Sequence, residues 1–314
     1  MSTFTEALTA NAKKAAEKIL MVGTHDGAFH ADELLALSII QEDLPEGWKI
    51  SVTRTRDKEL LDACDLVIDV RGGKFDHHGP DNRRMPNGIP HCAASLILEA
   101  CEEDPAVRNI LLDQMVYAVA AQDNGFELPQ GICPSKLSFI TSMNPTWLEE
   151  QEIREKAQKE GKEFKSEDLF NFVFNRAFGI VDVIYKRARA QAKAVIEART
   201  VCDCSQRIPL TQGGYVLDLP FFVPWLNWAY GNPECKAAMY PDKDGIVVRV
   251  ASKTPGKFVQ RANWPIEWGG KEGAELEQTS TIKDAVFCHR GLFLAKFKHR
   301  EAALEALPWL KVED

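Results

Sequence analysis

In the first half of the chain, short apolar runs alternate with segments whose apolar residues recur at helical spacing. This alternation constrains the fold most, because strands that alternate with helices form a mainly parallel sheet with helices on both faces. Apolar runs predict buried strands, and a period near 3.6 predicts packed helices. The sequence predicts strands over residues 19–24, 49–54 and 65–70, and helices over residues 31–43, 92–103 and 105–122.

The pattern changes in the second half of the chain. Residues 169–199 predict one long helix, or two helices broken near Gly179. Strand patterns then appear at 213–219 and 246–252, and a strong turn signal precedes the second of them. The predicted organisation is an α/β domain with a mainly parallel sheet over residues 1–203, and a smaller C-terminal α+β domain over residues 204–314.

Composition limits the class of protein. The 314 residues suit two domains. The net charge of -8 argues against a protein that coats nucleic acid generally, but it permits an enzyme with a local basic path. No apolar run approaches the ~18 residues that span a bilayer. The N-terminus has no secretory pattern, and the eight cysteines form no C-x-x-C repeats. We therefore expect a reduced cytoplasmic protein with no membrane partner.

Histidine and aspartate are concentrated in two short segments of the first half. The segment THDGAFHADE follows the first predicted strand, and DVRGGKFDHH overlaps the end of the strand predicted over 65–70. A further carboxylate lies at the end of the helical pattern over 105–122. Together these segments supply His25, His30, Asp32, Asp69, Asp76, His77, His78 and Asp123.

These side chains indicate a metal site when they are taken together. Each alone is more often structural, as a cap, a turn residue or a rim histidine. However, ligands bind open parallel sheets beyond the carboxyl ends of the strands, where these segments lie. Mixed imidazole and carboxylate ligands suit Mn²⁺, Co²⁺, Fe²⁺ or Zn²⁺, and the absence of cysteine argues against a structural zinc site.

The same motifs resemble the DHH phosphoesterase superfamily, which includes family II inorganic pyrophosphatases, RecJ exonucleases and oligoribonucleases. THDGAFHADE, DVRGGKFDHH and AAQDNG are more closely similar to the melanocyte-proliferating-gene family. That family is described as metal-dependent hydrolases, and its eukaryotic members as 3′→5′ RNA exonucleases. FVQR and FCH in the second half also resemble family motifs, so the likeness covers most of the chain.

The resemblance implies a DHH-like catalytic domain that holds two divalent metal ions, with Mn²⁺ foremost and Mg²⁺, Co²⁺ or Zn²⁺ as alternatives. Asp69 and Asp123 would bridge the two ions. Asp76 would orient His77, and His78 would contact the phosphate or protonate the leaving oxygen. The implied metal ligands are His25, His30, Asp32, Asp69, His77 and Asp123.

The sequence departs from the pattern in two places. His30 stands where pyrophosphatases and RecJ proteins carry an aspartate, which bears on metal preference. Ala295 and Lys296 stand where the family usually carries a Gly-Gly pair, which bears on substrate identity.

The second domain carries two basic stretches, residues 245–265 and 285–300, that contain no Asp or Glu. Lysine, arginine and interleaved aromatic residues suit a phosphate backbone with stacked bases, although exposed strand residues alone would also explain them. The predicted substrate contacts are Arg261, His289, Lys296 and Arg300.

These observations favour a metal-dependent phosphodiesterase. The first hypothesis is a 3′→5′ exonuclease that acts on short single-stranded RNA or oligonucleotides, with a homodimer as the assembly considered. One alternative is a hydrolase of pyrophosphate, a nucleotide or a cyclic dinucleotide. A second alternative is a non-catalytic metal-binding protein.

Overall fold

The computed structural model describes residues 1–78, 83–128 and 137–313. The chain forms two compact units, Met1–Ala192 and Lys193–Asp314. The described part of the first unit contains strands β1 (Ile19–Thr24), β2 (Lys49–Arg54) and β3 (Leu66–Val67), and helices α1 (Thr3–Ala10), α2 (Ala31–Asp43), α3 (Lys58–Asp62), α4 (Ala93–Cys101), α5 (Pro105–Leu111), α6 (Tyr117–Asp123), α7 (Trp147–Lys159) and α8 (Ser166–Cys204), the last of which continues into the second unit.

The three strands of the first unit form a parallel sheet in the order β2–β1–β3. The central strand β1 is apolar and buried, with Leu20 and Val22 fully covered. Helix α2 packs against β2 and α4, and α3 packs against β1. Gly23 permits the last contact, because a Cβ atom at this position would lie 2.8 Å from the Leu61 side chain. Because the three strands are parallel, their carboxyl ends meet at one edge of the sheet.

Several predicted elements differ from those observed. The strand predicted over 65–70 is short, because the backbone of Asp69 adopts a left-handed conformation with φ 54° and turns the chain away. The helix predicted over 105–122 is divided into α5 and α6 by one π-helical turn at Leu112–Val116. Gly179 does not break α8, which is continuous for 39 residues.

The second unit has a different architecture. Its elements are β4 (Gln206–Pro209), β5 (Tyr215–Asp218), β6 (Cys235–Asp242), β7 (Gly245–Val250), β8 (Ala262–Asn263), β9 (Ala285–Cys288), β10 (Leu294–Phe297), β11 (Lys311–Val312), α9 (Leu226–Tyr230), α10 (Gly273–Ser280) and α11 (Arg300–Ala306). Six of the strands form a sheet in the order β4–β5–β6–β7–β10–β9, in which only β5 and β6 are parallel. The strands β8 and β11 form a separate antiparallel pair.

Large aromatic side chains fill the core of the second unit. The rings of Trp264 and Trp268 are stacked with centroids 5.3 Å apart, and Phe297 lies against Trp264. The α/β fold with a parallel N-terminal sheet is confirmed. The domain boundary predicted at 203 stays a prediction, and the compact units divide inside α8. Among the helices of the described ranges, none has the length and apolarity that a bilayer crossing requires.

Candidate metal centre

The predicted metal residues gather at the carboxyl edge of the parallel sheet. His25 follows β1 directly, Asp69 lies just beyond β3, and Asp32 lies in the first turn of α2. This placement follows from the parallel order, since every loop that leaves a strand starts at the same edge. Three groups of side chains each have ligand atoms that lie within 4.8 Å of one another. The groups are His25, His30 and Glu33; Asp32, His77 and Asp123; and Asp69, Asp76, His77 and His78.

The first group surrounds the start of α2. His25 donates from Nδ1 to the Asp26 carbonyl at 2.9 Å, which leaves Nε2 facing Glu33 at 3.2 Å and Asp69 at 3.4 Å. Burial lowers the pKa of His25, but hydrogen bonds to Asp69 and Glu33 outweigh burial and raise it to about 10. The two carboxylates therefore favour a positive charge at this position, either on the imidazole or on a bound cation.

Glu33 joins this group although the sequence did not single it out. Its side chain is fully buried and accepts hydrogen bonds from the His30 backbone amide at 2.9 and 3.0 Å. This is a capping box in which His30 occupies the N-cap position. The sequence does contain the spacing of a capping box, because Glu33 stands three residues after the N-cap residue. The pattern is hard to identify here because the N-cap residue is a histidine and not a serine or threonine.

The second group centres on His77. Its Nε2 atom lies 2.9 Å from an Asp123 oxygen, and its Nδ1 atom lies 3.8 Å from Asp32. Burial opposes the charge on His77, but Asp123 and Asp32 raise its pKa to about 9. The carboxylate of Asp32 accepts from the backbone amides of Ala93 and Ala94 at 2.8 and 2.7 Å, at the start of α4. Burial, then Asp69 and Asp123, raise the pKa of Asp32.

Asp69 stands between the groups. Its oxygens lie 3.4 Å from His25 Nε2, 3.4 Å from His77 Nδ1 and 3.6 Å from His78 Nδ1. The side chain is buried, and the left-handed turn of its backbone directs it away from the path of β3. Asp69 thus connects the first group to the second.

The structure corrects the predicted role of Asp76. Its carboxylate accepts from His78 Nδ1 at 2.7 Å and from the His78 amide at 3.0 Å, so it orients His78 and not His77. Burial opposes ionisation of Asp76, but hydrogen bonds from the amides of His78 and Gly72 and from the His78 ring hold its pKa below the usual value. His78 is 63% exposed at its side chain.

Two buried atoms of this cluster face each other at 3.4 Å without forming a hydrogen bond. Oδ1 of Asp69 and Nδ1 of His77 are buried and accept or donate no hydrogen bond among the described residues. Unpaired buried polar atoms are costly, and a metal ion is one way to satisfy them. Oxygen and imidazole donors without sulfur suit Mn²⁺, Mg²⁺, Co²⁺ or Zn²⁺. The residues therefore fit divalent metal ions.

A cleft of about 650 Å³ opens onto these side chains. Two arginines that the sequence analysis did not select, Arg56 and Arg71, line it. Arg56 Nε donates to Asp26 at 3.1 Å, and Arg71 Nη1 donates to Asp62 at 2.6 Å. Arg56 could have been found, because it follows β2 and the loops after parallel strands share one edge.

The family model MYG1_exonuc, described as Uncharacterised protein family (UPF0160), matches residues 21–307. The chain belongs to this family.

Relatives match along most of their length. The MYG1 protein of Chlamydia pneumoniae is 31% identical, and the alignment covers 91% of this chain and 94% of the relative. The MYG1 exonuclease of Homo sapiens is 26% identical, with 90% of this chain and 83% of the relative covered. A solved structure of RecJ with Mn²⁺ from Thermus thermophilus is 14% identical, and the match covers 98% of this chain and 53% of that one with a TM-score of 0.25.

The MYG1_exonuc family confirms the predicted class, a metal-dependent hydrolase. In this member of the family, the predicted substrate residues have other contacts within the second unit. Arg261 is buried and donates from Nη1 to the carbonyls of Ala229, Asn232 and Cys235 at 2.9 to 3.0 Å. The structure therefore corrects its predicted role, because a guanidinium bound to three carbonyls supports the fold.

Of the other three predicted residues, Arg300 is exposed, and His289 and Lys296 are half-buried. Lys296 pairs with Asp242 at 2.9 Å, and Arg300 pairs with Asp218. The His289 ring lies 4.2 Å from the Phe293 ring, and its Nδ1 atom accepts from the Gly291 amide. The aspartates partly neutralise the charges of Lys296 and Arg300. Contact of these residues and of His289 with substrate stays a prediction.

Proposed function

We propose that the protein is a two-metal phosphodiesterase that removes nucleotides from the 3′ end of short single-stranded RNA or oligonucleotides. The observation that carries the proposal is the position of Asp69 between His25 and His77, with a buried oxygen that takes part in no hydrogen bond among the described residues. Relatives in mammals are named exonucleases, which supports the choice of a nucleic-acid substrate.

The six predicted ligands divide naturally between two cations around Asp69. His25 and His30 would hold one cation, and Asp32 and His77 would hold the other, with Asp69 and Asp123 shared between the two. When bound, two divalent ions supply a water nucleophile at neutral pH and positive charge for the phosphoryl oxygens. We propose Mn²⁺ as the metal, since imidazole and carboxylate ligands both suit it.

His78 has the position of a proton donor. Its Nδ1–H is held by Asp76, so the tautomer is fixed and Nε2 is the atom free to hold a second proton. The imidazole lines the cleft and is largely exposed, so it can reach the oxygen that leaves phosphorus. General acids of this kind contribute about 10²–10⁴-fold to a rate.

Arg56 and Arg71 are the nearest candidates for binding phosphate. Each arginine binds an aspartate through one nitrogen, and each guanidinium group has five N–H donors. The remaining donors can bind non-bridging oxygens of the scissile phosphate or of its neighbour. The same arginines also favour pyrophosphate or a cyclic dinucleotide, which is the second candidate class.

The test compares substrates in the presence of Mn²⁺. RNA labelled at its 5′ end should shorten stepwise, and a phosphate at the 3′ terminus should slow the first step. Asp123→Asn should abolish turnover, while Asp113→Asn, an exposed aspartate in the preceding π-helical turn, should not. Turnover of pyrophosphate or a cyclic dinucleotide alone would favour the second candidate class, and turnover of no substrate would favour a non-catalytic protein. The cytoplasmic location and the homodimer stay predictions.

A further inference from the structure

We infer that a hairpin of the second unit, residues 252–260, forms a nucleotide-binding site for single-stranded RNA. This inference rests on the proposed function, because it names a segment of the second unit that would hold the nucleic acid. The site is distinct from the four substrate residues that the sequence predicted.

The hairpin is a built structure. Ser252 and Gln260 form an antiparallel bridge, and the Lys253 amide donates to the Val259 carbonyl at 2.7 Å. Gly256 turns the tip with φ 71°, a left-handed conformation that glycine adopts without strain. Arg261 fixes the base, since its amide donates to the Ala251 carbonyl at 2.8 Å and its side chain is bound to three carbonyls. The predicted substrate arginine thus anchors the segment that we propose binds substrate.

An aromatic side chain stands unsupported on this hairpin. Phe258 is 91% exposed, which is the highest value among the large exposed hydrophobic residues of the described chain. Burying such a ring removes apolar area from water, and the exposed ring offers a free face to a ligand. Nucleobases stack on exposed aromatic rings regardless of sequence.

A cavity of about 230 Å³ lies beside the ring. Sites for drug-sized ligands are larger, roughly 300–1,000 Å³, so this cavity suits a single nucleobase. Tyr230 and Ser252 share a hydrogen bond of 2.8 Å in its wall, and Gln260 adds an amide. Hydroxyl and amide groups can bind the polar edge of a base.

The charge of the cavity is positive. Arg249 and Lys257 line it, no carboxylate does, and the stretch 245–265 contains no Asp or Glu. The exposed ring, the base-sized cavity and the two cationic side chains together match one nucleotide of a single strand. A protein partner would need a larger apolar area than this site offers.

The experiment measures binding of fluorescein-labelled oligouridine to the full chain in EDTA, so that hydrolysis does not occur. Phe258→Ala should weaken binding roughly fivefold to a hundredfold, the effect of one lost base stack. Lys257→Gln should reduce the slope of log affinity against log salt by about 0.7, as for one phosphate contact on a single strand. The matched controls are Phe221→Ala, an aromatic residue 56% exposed elsewhere in the unit, and Lys283→Gln.

Each outcome decides the inference. Wild-type affinity in both hairpin variants, or no binding by the wild-type chain, overturns it. A change in sedimentation with Phe258→Ala and unchanged RNA affinity also overturns it, in favour of a protein interface. Hydrolysis of RNA with Mn²⁺ but no effect of the variants would leave the proposed function intact. Hairpin-dependent binding without turnover by any metal would reject the proposed function and keep the site.

Discussion

Glu33 shows how a single residue at the metal centre serves both the backbone and the site. One carboxylate caps α2 by accepting from the His30 amide and also contacts His25 Nε2. Groups that hold metal ligands in this way often affect affinity nearly as much as the ligands. The order of α2 and the orientation of His25 are therefore coupled through one side chain.

The expected result for Glu33→Gln is a loss of Mn²⁺ affinity of about 10–100-fold, because glutamine keeps the cap but not the charge beside His25. Titration of the metal-free protein against a competing chelator measures the change. Glu149→Gln is the matched control, since Glu149 caps α7 in the same manner outside the metal groups. Equal affinity in both variants would show that Glu33 has only a helix-capping role.

His78→Gln should lower kcat by about 10²–10⁴-fold with the metal content retained, because the residue is proposed to donate a proton and not to bind metal. Elemental analysis and single-turnover kinetics measure the two quantities. His77→Ala, by contrast, should lose metal. If His78→Gln loses metal to the same extent, His78 is a ligand.

At the scale of the elements, the sequence correctly predicted the helices and strands whose bounds depend on a local hydrophobic pattern. β1, α2 and β2 have the predicted bounds because their apolar spacing is regular over the whole element. The strand predicted over 65–70 was too long, since the left-handed turn at Asp69 depends on the loop that follows and not on hydrophobicity. The parallel order then explains why residues far apart in sequence meet at one edge.

Long-range contacts were beyond prediction. Nothing in the sequence distinguishes an arginine that binds three backbone carbonyls, as Arg261 does, from one that faces solvent. The pairing of Asp76 with His78 and not His77 also depends on rotamers that spacing does not fix. Spacing identified side chains that gather at the carboxyl edge of the sheet, whereas their individual hydrogen-bond partners depend on the folded structure.

Arg54 connects three elements around the metal loop. From the end of β2 it donates to the Gly27 carbonyl at 2.6 Å and to Asn171 of α8 at 3.1 Å, and its guanidinium lies 4.4 Å from the Phe174 ring centre. Arg54→Lys should destabilise the first unit by about 1–3 kcal/mol, since lysine lacks the planar fork. Chemical denaturation measures this. Arg56→Lys, a little further along the chain and exposed, should have little effect on stability.

At the scale of the whole molecule, all the metal groups of the described residues lie in Met1–Ala192. The buried carboxylates of Asp32, Glu33 and Asp69 repel one another, and a bound cation removes that repulsion. A ligand that binds only the folded state stabilises it by about 2.7 kcal/mol at one hundred times its Kd.

Calorimetry in EDTA and in Mn²⁺ should therefore show selective stabilisation. If the two units unfold separately, only the transition of the first should move to higher temperature, and Asp123→Asn should reduce the movement. A shift of equal size in both transitions would indicate either cooperative unfolding of the units or a metal site in the second.

The left-handed backbone at Asp69 limits which mutations this position tolerates. The conformation admits glycine readily and, among other residues, mainly asparagine and aspartate. Of these three, only aspartate offers an anionic oxygen to a cation. A saturation library at position 69 screened for folding should therefore retain Gly, Asn and Asp, whereas a screen for turnover should retain Asp alone. Residues that pass the folding screen but fail the turnover screen would distinguish what the backbone requires at position 69 from what the chemistry requires.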